Sequence, residues 1–152
     1  MPGMKLRRSA GNPNIMHFEA GSAFTDGDVL TLDGTRRASR HSGGEQDVLG
    51  VALADSADSI NSKIPVHIPK AGDVFEADIP SGIAASSLSL GQTLGIYSVS
   101  GYNSYITGSY TSTGGRCLVI VGAPDSDRSR IEVSFNADNL TLLASTTSQA
   151  LA

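Results

Sequence analysis

Val48-Leu49-Gly50-Val51-Ala52-Leu53-Ala54 alternates large and small apolar residues with a period of two. Successive side chains of a strand point to opposite faces, so Leu49, Val51 and Leu53 are expected on one face, filling a core. Gly50, Ala52 and Ala54 fall on the other, where a second backbone can approach closely. Downstream, Ile64, Val66 and Ile68 alternate with Pro65, His67 and Pro69. Pro65 and Pro69, an even number of residues apart, withhold ladder donors on one side, which predicts an edge or straddling strand there.

Flanking these two segments is a loose internal echo: Gly27-Asp28-Val29-Leu30-Thr31-Leu32 beside Gly72-Asp73-Val74-Phe75-Glu76-Ala77. Each copy begins with a Gly-Asp turn. In the second, Phe75, Ala77 and Ile79 are expected inward and Glu76 and Asp78 toward water. Further strands are expected over 93–99, 105–110, 117–122 and 130–135, the last with Ile131, Val133 and Phe135 on one face. Leu140, Leu142 and Leu143 suggest a short final strand. No 3.6-residue stripe exceeds two turns, so helices should be few. The fold class is therefore all-β, a small single-domain β-barrel or sandwich. Its expected divisions are an extended N-terminal arm over 1–14, the β body over 15–143 and a polar C-terminal tail over 144–152. The arm carries two prolines, two glycines and no periodic pattern, so it has no evident core of its own.

Composition agrees. At 152 residues the chain can bury about 68–70% of its unfolded surface in one core. Charged residues make up 17%, below the usual ~25%, while Gly reaches 17 residues, the balance of a turn-rich β protein. The longest apolar run, 117–121, is far short of the ~20 residues of a membrane helix. No apolar stretch follows Lys5-Leu6-Arg7-Arg8, so a secretory signal is not expected and synthesis is expected inside the cell. The single Cys117 sits in a strand-like run and reads as a small buried hydrophobe.

Charge is uneven. Residues 1–41 carry a net +2 and residues 42–152 a net −6. An acidic body argues against nucleic acid, whose phosphates require a dense cationic surface. The basic groups Lys5, Arg7 and Arg8, and the loop residues Arg36, Arg37 and Arg40, suit a solvated surface or salt bridges to an acidic partner.

Catalytic patterns are missing from the sequence. His17, His41 and His67 are far apart and in no paired-ligand spacing, so zinc has no support. There is no Gly-x-Ser-x-Gly elbow and no phosphate-cradling Gly-rich loop. The stretch 125–132 superficially suggests a calcium loop, but Arg130 stands where that motif needs Gly, and a polar hairpin after Pro124 is the better reading. No enzyme activity and no cofactor are expected. Tyr97, Tyr102, Tyr105 and Tyr110, interleaved with Gly, Ser, Asn and Thr, have the composition of a binding loop or of a hairpin at the edge of the body.

The order of Ala23–Leu32, Val48–Ala52, Ile64–Ile68 and Gly72–Ala77 behind a basic N-terminal segment resembles the small β-barrel decoration, or cement, proteins of tailed-bacteriophage heads. The resemblance spans roughly residues 15–135 and its motifs are short. It implies a virion protein on the outer capsid surface, often a homotrimer, that braces neighbouring major capsid protein subunits through terminal arms and has no catalytic residues. With no long apolar run, no membrane partner is expected. Lys5, Arg7 and Arg8 would then lie across an acidic strip of the shell. The alternatives are a receptor- or glycan-binding β module, with Tyr102, Tyr105 and Tyr110 as its site, or another phage structural protein.

Overall fold

Alternating apolar residues build two antiparallel sheets in the computed structural model, which describes residues 4–9, 11–41, 47–56, 63–70, 72–79, 84–99, 102–107, 117–125, 130–136 and 140–141. The strands are β1 (Lys5–Arg8), β2 (Asn14–Glu19), β3 (Val29–Leu32), β4 (Ala38–Arg40), β5 (Gly50–Ala52), β6 (Lys63–Ile68), β7 (Val74–Asp78), β8 (Thr93–Val99), β9 (Tyr102–Thr107), β10 (Leu118–Ile120) and β11 (Arg130–Phe135). A six-stranded sheet has the order β1-β7-β11-β10-β8-β9, and a five-stranded sheet the order β2-β6-β5-β3-β4. The all-β expectation holds.

Register explains where the core lies. Leu6 faces Phe75, Phe75 faces Val133 and Val133 faces Ile120, so one apolar row crosses four strands of the larger sheet. Phe135, Leu118 and Leu94 make a second row. Val29 and Val51 of the smaller sheet, with Val48 just before β5, pack against these rows, which places the first core between the sheets. Phe75 sits at its centre, edge-on to Phe135 at 5.3 Å and to His67 at 5.1 Å between ring centroids.

The smaller sheet is buried on its other face too. Leu30, Ala38, Ala52, Ile64, Val66 and Ile68 share a second core with Phe24 and Leu49. Just past β2, Ala20 forms a parallel bridge to Ala38, and the Gly21 N–H donates to the Ala38 carbonyl at 2.8 Å. This bridge joins the first strand of the sheet to its last, curling that end into a small barrel around the second core.

The Gly-Asp echo is built as one repeated turn. Gly27 and Gly72 have φ of 92° and 91°, a region open to glycine and strained for other residues. In each turn the Asp N–H donates to the carbonyl three residues back, Thr25 or Lys70, at 3.0 Å. Each Asp carboxylate then accepts from the N–H of that same residue, again at 3.0 Å. A third copy enters β8, with Gly91 at φ 83° and the Gln92 amide oxygen accepting from Ser89 N–H. The sequence reading missed this third turn because Gln replaces Asp.

Several expectations are corrected. Residues 4–8 are not part of a free arm: β1 pairs with β7, and Met4 is 2% exposed in the first core. The alternation Met4-Lys5-Leu6-Arg7 drives this, placing Met4 and Leu6 inward. β6 is not an edge but lies between β2 and β5. Pro65 is tolerated because its carbonyl still accepts from Leu53 N–H at the end of β5, and Pro69 falls beyond the strand. Leu49 and Val51 do not share a face: Leu49 enters the second core and Val51 the first, because alternation slips by one residue at Gly50. Leu53 is exposed rather than buried.

Gly50 does meet a second backbone, and a Cβ there would lie 2.2 Å from the His67 carbonyl oxygen. The strand expected over 105–110 begins earlier, at Tyr102. Leu140 makes a parallel bridge to Val48, while Leu142, Leu143 and the expected tail over 144–152 lie outside the described residues.

Candidate functional site

Lys5, Arg7 and Arg8 stand on β1, at one edge of the six-stranded sheet, with Lys5 opposite Glu76. Glu76 and Glu132 face each other across β7 and β11, a like-charge pair that needs cations nearby. Arg7 Nε supplies one, 4.0 Å from Glu76 and 3.7 Å from Glu132. Arg8 approaches Glu132 at 3.3 Å. Arg130 completes the network through Glu76 at 3.1 Å and through Asp78. The Arg7 and Arg8 side chains remain 55% and 59% exposed, so these pairs contribute only about 0–1 kcal/mol each. A cleft of about 250 Å³ opens there, lined by Arg7, Glu76, Asp125, Arg130 and Glu132 among others. Asp125 and Arg130 close the expected hairpin after Pro124 by a reciprocal backbone pair.

The second basic group divides. Arg36 is exposed at the β3–β4 turn with φ 63°. Arg37 lies 3.6 Å from Glu19. Arg40 turns inward, its Nε donating at 3.1 Å to the buried Asp28 carboxylate, which also accepts from the Thr25 N–H and hydroxyl. Arg40 therefore holds a turn together. Arg40→Met leaves a buried carboxylate without its cation. Because Arg40 is 22% exposed, the expected loss is about 2–4 kcal/mol, below the usual range for a fully buried pair, read from urea unfolding midpoints.

Asp33 organises the same hairpin. Burial pushes its carboxyl pKa up, but hydrogen bonds from the N–H groups of Arg37 and Thr35 and the hydroxyls of Thr35 and Ser39 outweigh this and bring it down to about 2. A carboxyl whose folded pKa is depressed stabilises fully above its unfolded pKa and loses that contribution as pH falls toward the folded value. Between about pH 4 and pH 2 the wild type should therefore lose about 1–2 kcal/mol more than Asp33→Asn, measured by urea unfolding at both pH values. Asp33, Arg40, Thr31, Ser39, Asp47 and Thr141 line a cleft of about 490 Å³, in which Asp33 and Arg40 are engaged in holding the fold.

Asp73 is the other buried turn carboxylate. It accepts from Ser9 Oγ at 3.0 Å and from Lys70 N–H, and lies 3.1 Å from His67 Nε2. Ser9 and His67 both address the carboxylate. The cluster fastens the N-terminal segment to the β6–β7 turn. Among the described residues, no group of three or more His, Cys, Asp or Glu side chains is placed to hold a metal ion.

Tyr102 and Tyr105 lie on β9, the terminal strand of the larger sheet, opposite Val99 and Ile96. Tyr110 lies outside the described residues.

A surface the sequence reading did not single out lies along β2. From Asn14 to His17 every residue is exposed, including Ile15 at 50% and Met16 at 42%. His17, Pro65 and Leu53 form a row on one face, continued by Ile15 beside His67. The available signal was an uncharged β-forming run, 14–18, bounded by Pro13 and Gly21.

No protein-family model and no curated protein matches this chain.

Proposed function

We propose that this protein is a structural component of a tailed-phage virion, which decorates the outer surface of the capsid and stabilises it by bridging major capsid protein subunits. The observation that supports this reading most is that the resembling segments form one body. They contribute β3, β5, β6 and β7, and their two Gly-Asp steps adopt the same turn. Contact with the shell is assigned to β1. Its Lys5, Arg7 and Arg8 lie on a sheet edge held by the core in place of a loose arm, with Arg7 and Arg8 exposed but shared with Glu76 and Glu132. In a homotrimer three such edges act together, and multivalent attachment gains ~10²–10⁴ in avidity over one.

The experiment is charge reversal, Arg7→Glu with Arg8→Glu, followed by sedimentation with shells. Reversal also sets two more carboxylates beside Glu76 and Glu132, so the unfolding midpoint should fall, and binding is compared under conditions where the variant remains folded. Binding to shells should weaken by at least ~10-fold. Unchanged occupancy would remove β1 as the anchor. A second reading, a receptor- or glycan-binding module, draws on the position of Tyr102 and Tyr105 on a terminal strand. Glycan binding abolished by Tyr102→Ala would favour it.

A further inference from the structure

We infer that the free edge of β2 is a two-fold contact between copies of this chain, formed by antiparallel pairing of β2 with β2 of a second copy. This goes beyond the decoration role and does not depend on it.

The edge is short and bounded. On β6, Pro65 and His67 direct their backbone toward β5, where they face Leu53 and Val51. Antiparallel pairing alternates, so Ile64, Val66 and Ile68 bond to β2 through Phe18, Met16 and Asn14. The N–H and C=O groups of Ile15 and His17 therefore point away from the sheet, and no described residue pairs with them. On one side Pro13 has no N–H to offer. On the other, from Glu19 onward, the strand is covered by the Ala20–Ala38 bridge.

Only one register satisfies both residues. Centred on Met16, Ile15 of one copy exchanges both hydrogen bonds with His17 of the other, and the reverse pair does the same. Shifting the centre to residue 15 sets His17 against Pro13 and forfeits a donor. Shifting it to residue 17 sets Ile15 against Glu19, where β4 is in the way. The pairing is isologous, as a two-fold contact must be.

Charge favours a second copy as the occupant. Soluble proteins protect open edges with charges and bulges. β1 has both, with Lys5, Arg7 and Arg8 and a register shift between Leu6 and Arg8. β2 has no Asp, Glu, Lys or Arg from Asn14 to Phe18, so no like charges meet in the self-paired register, and Glu19 falls opposite Pro13. The exposed Met16 side chains meet across the axis, and each Ile15 lies beside a His17. A single strand pair buries less than the ~1,000 Å² of a stable interface, so association should be concentration-dependent.

The test is site-directed cross-linking of the full chain. Residue 16 faces its own copy in a non-hydrogen-bonded pair, about 4.5 Å between Cα atoms, within disulfide reach. Residues 14 and 15 are offset along the axis beyond the ~7 Å limit. Burial pushes the Cys117 thiol up to about 12, which keeps it out of the reaction. Under mild oxidation Met16→Cys should form a covalent dimer several-fold faster than Ile15→Cys or Asn14→Cys. In the chain without added cysteines, the rise in light-scattering mass with concentration should be lost in Met16→Lys. Equal cross-linking at the three positions, or none at any, would overturn the proposal, the latter leaving the edge to a strand of another protein.

Discussion

Removing residues 1–9 is expected to abolish folding, not merely to detach the protein from a partner. Met4 lies in the core between the sheets, its N–H donates to the Gly27 carbonyl, and Leu6 packs against Phe75 in register. Truncating a buried methionine alone costs about 2–5 kcal/mol. Loss of Ser9 further deprives the buried Asp73 carboxylate of a donor, worth about 1–3 kcal/mol. Together these approach the whole stability of a domain, about 5–15 kcal/mol. Urea unfolding of the truncated chain should show no cooperative transition. An unfolding midpoint equal to that of the full chain would contradict the placement of β1.

Gly50→Val should be nearly as damaging. A Cβ at residue 50 would sit 2.2 Å from the His67 carbonyl oxygen and 2.9 Å from a Val66 methyl. The carbonyl belongs to the backbone of β6, held between two neighbouring strands, so it cannot swing aside as a flexible side chain does. Relief requires moving a ladder that separates both cores. The expected loss is more than about 4 kcal/mol, at the high end of overpacking effects. Thermal or urea unfolding checks it, and a loss under about 1 kcal/mol would mean that β5 and β6 are further apart than described.

Much of the fold was legible wherever one face of a strand is buried and the other wet. Phe75 and Ala77, and Ile131, Val133 and Phe135, are buried as their alternation implies, with Glu76, Glu132 and Ser134 between them less so. Legibility failed where that condition fails. β5 is buried on both faces, so its apolar run could not report which face each residue takes, and the slip at Gly50 was hidden. β1 was obscured by its three cations, although Met4 and Leu6 already alternate with Lys5 and Arg7. β6 looked like an edge because prolines usually mark edges. In fact one lost donor at the end of a neighbouring strand is a small cost beside the burial of Ile64, Val66 and Ile68.

The basic residues divide for a related reason. Arg7, Arg8 and Arg40 are equivalent as letters, yet Arg40 follows β3 back to the Gly27-Asp28 turn and is consumed by a buried carboxylate. Arg7 and Arg8 stay more than half exposed on the edge strand of the six-stranded sheet. Sequence spacing does not register that distinction, which depends on the β3–β4 pairing of Leu30 with Arg40.

The shell-decorating role is tested most directly by co-sedimentation of the purified protein with expanded capsids that lack it. Saturable binding, lost on reversal of Arg7 and Arg8 and retained in a folded Tyr102→Ala variant, is the predicted result. A folded wild-type protein that stays in the supernatant at every capsid concentration would contradict the role.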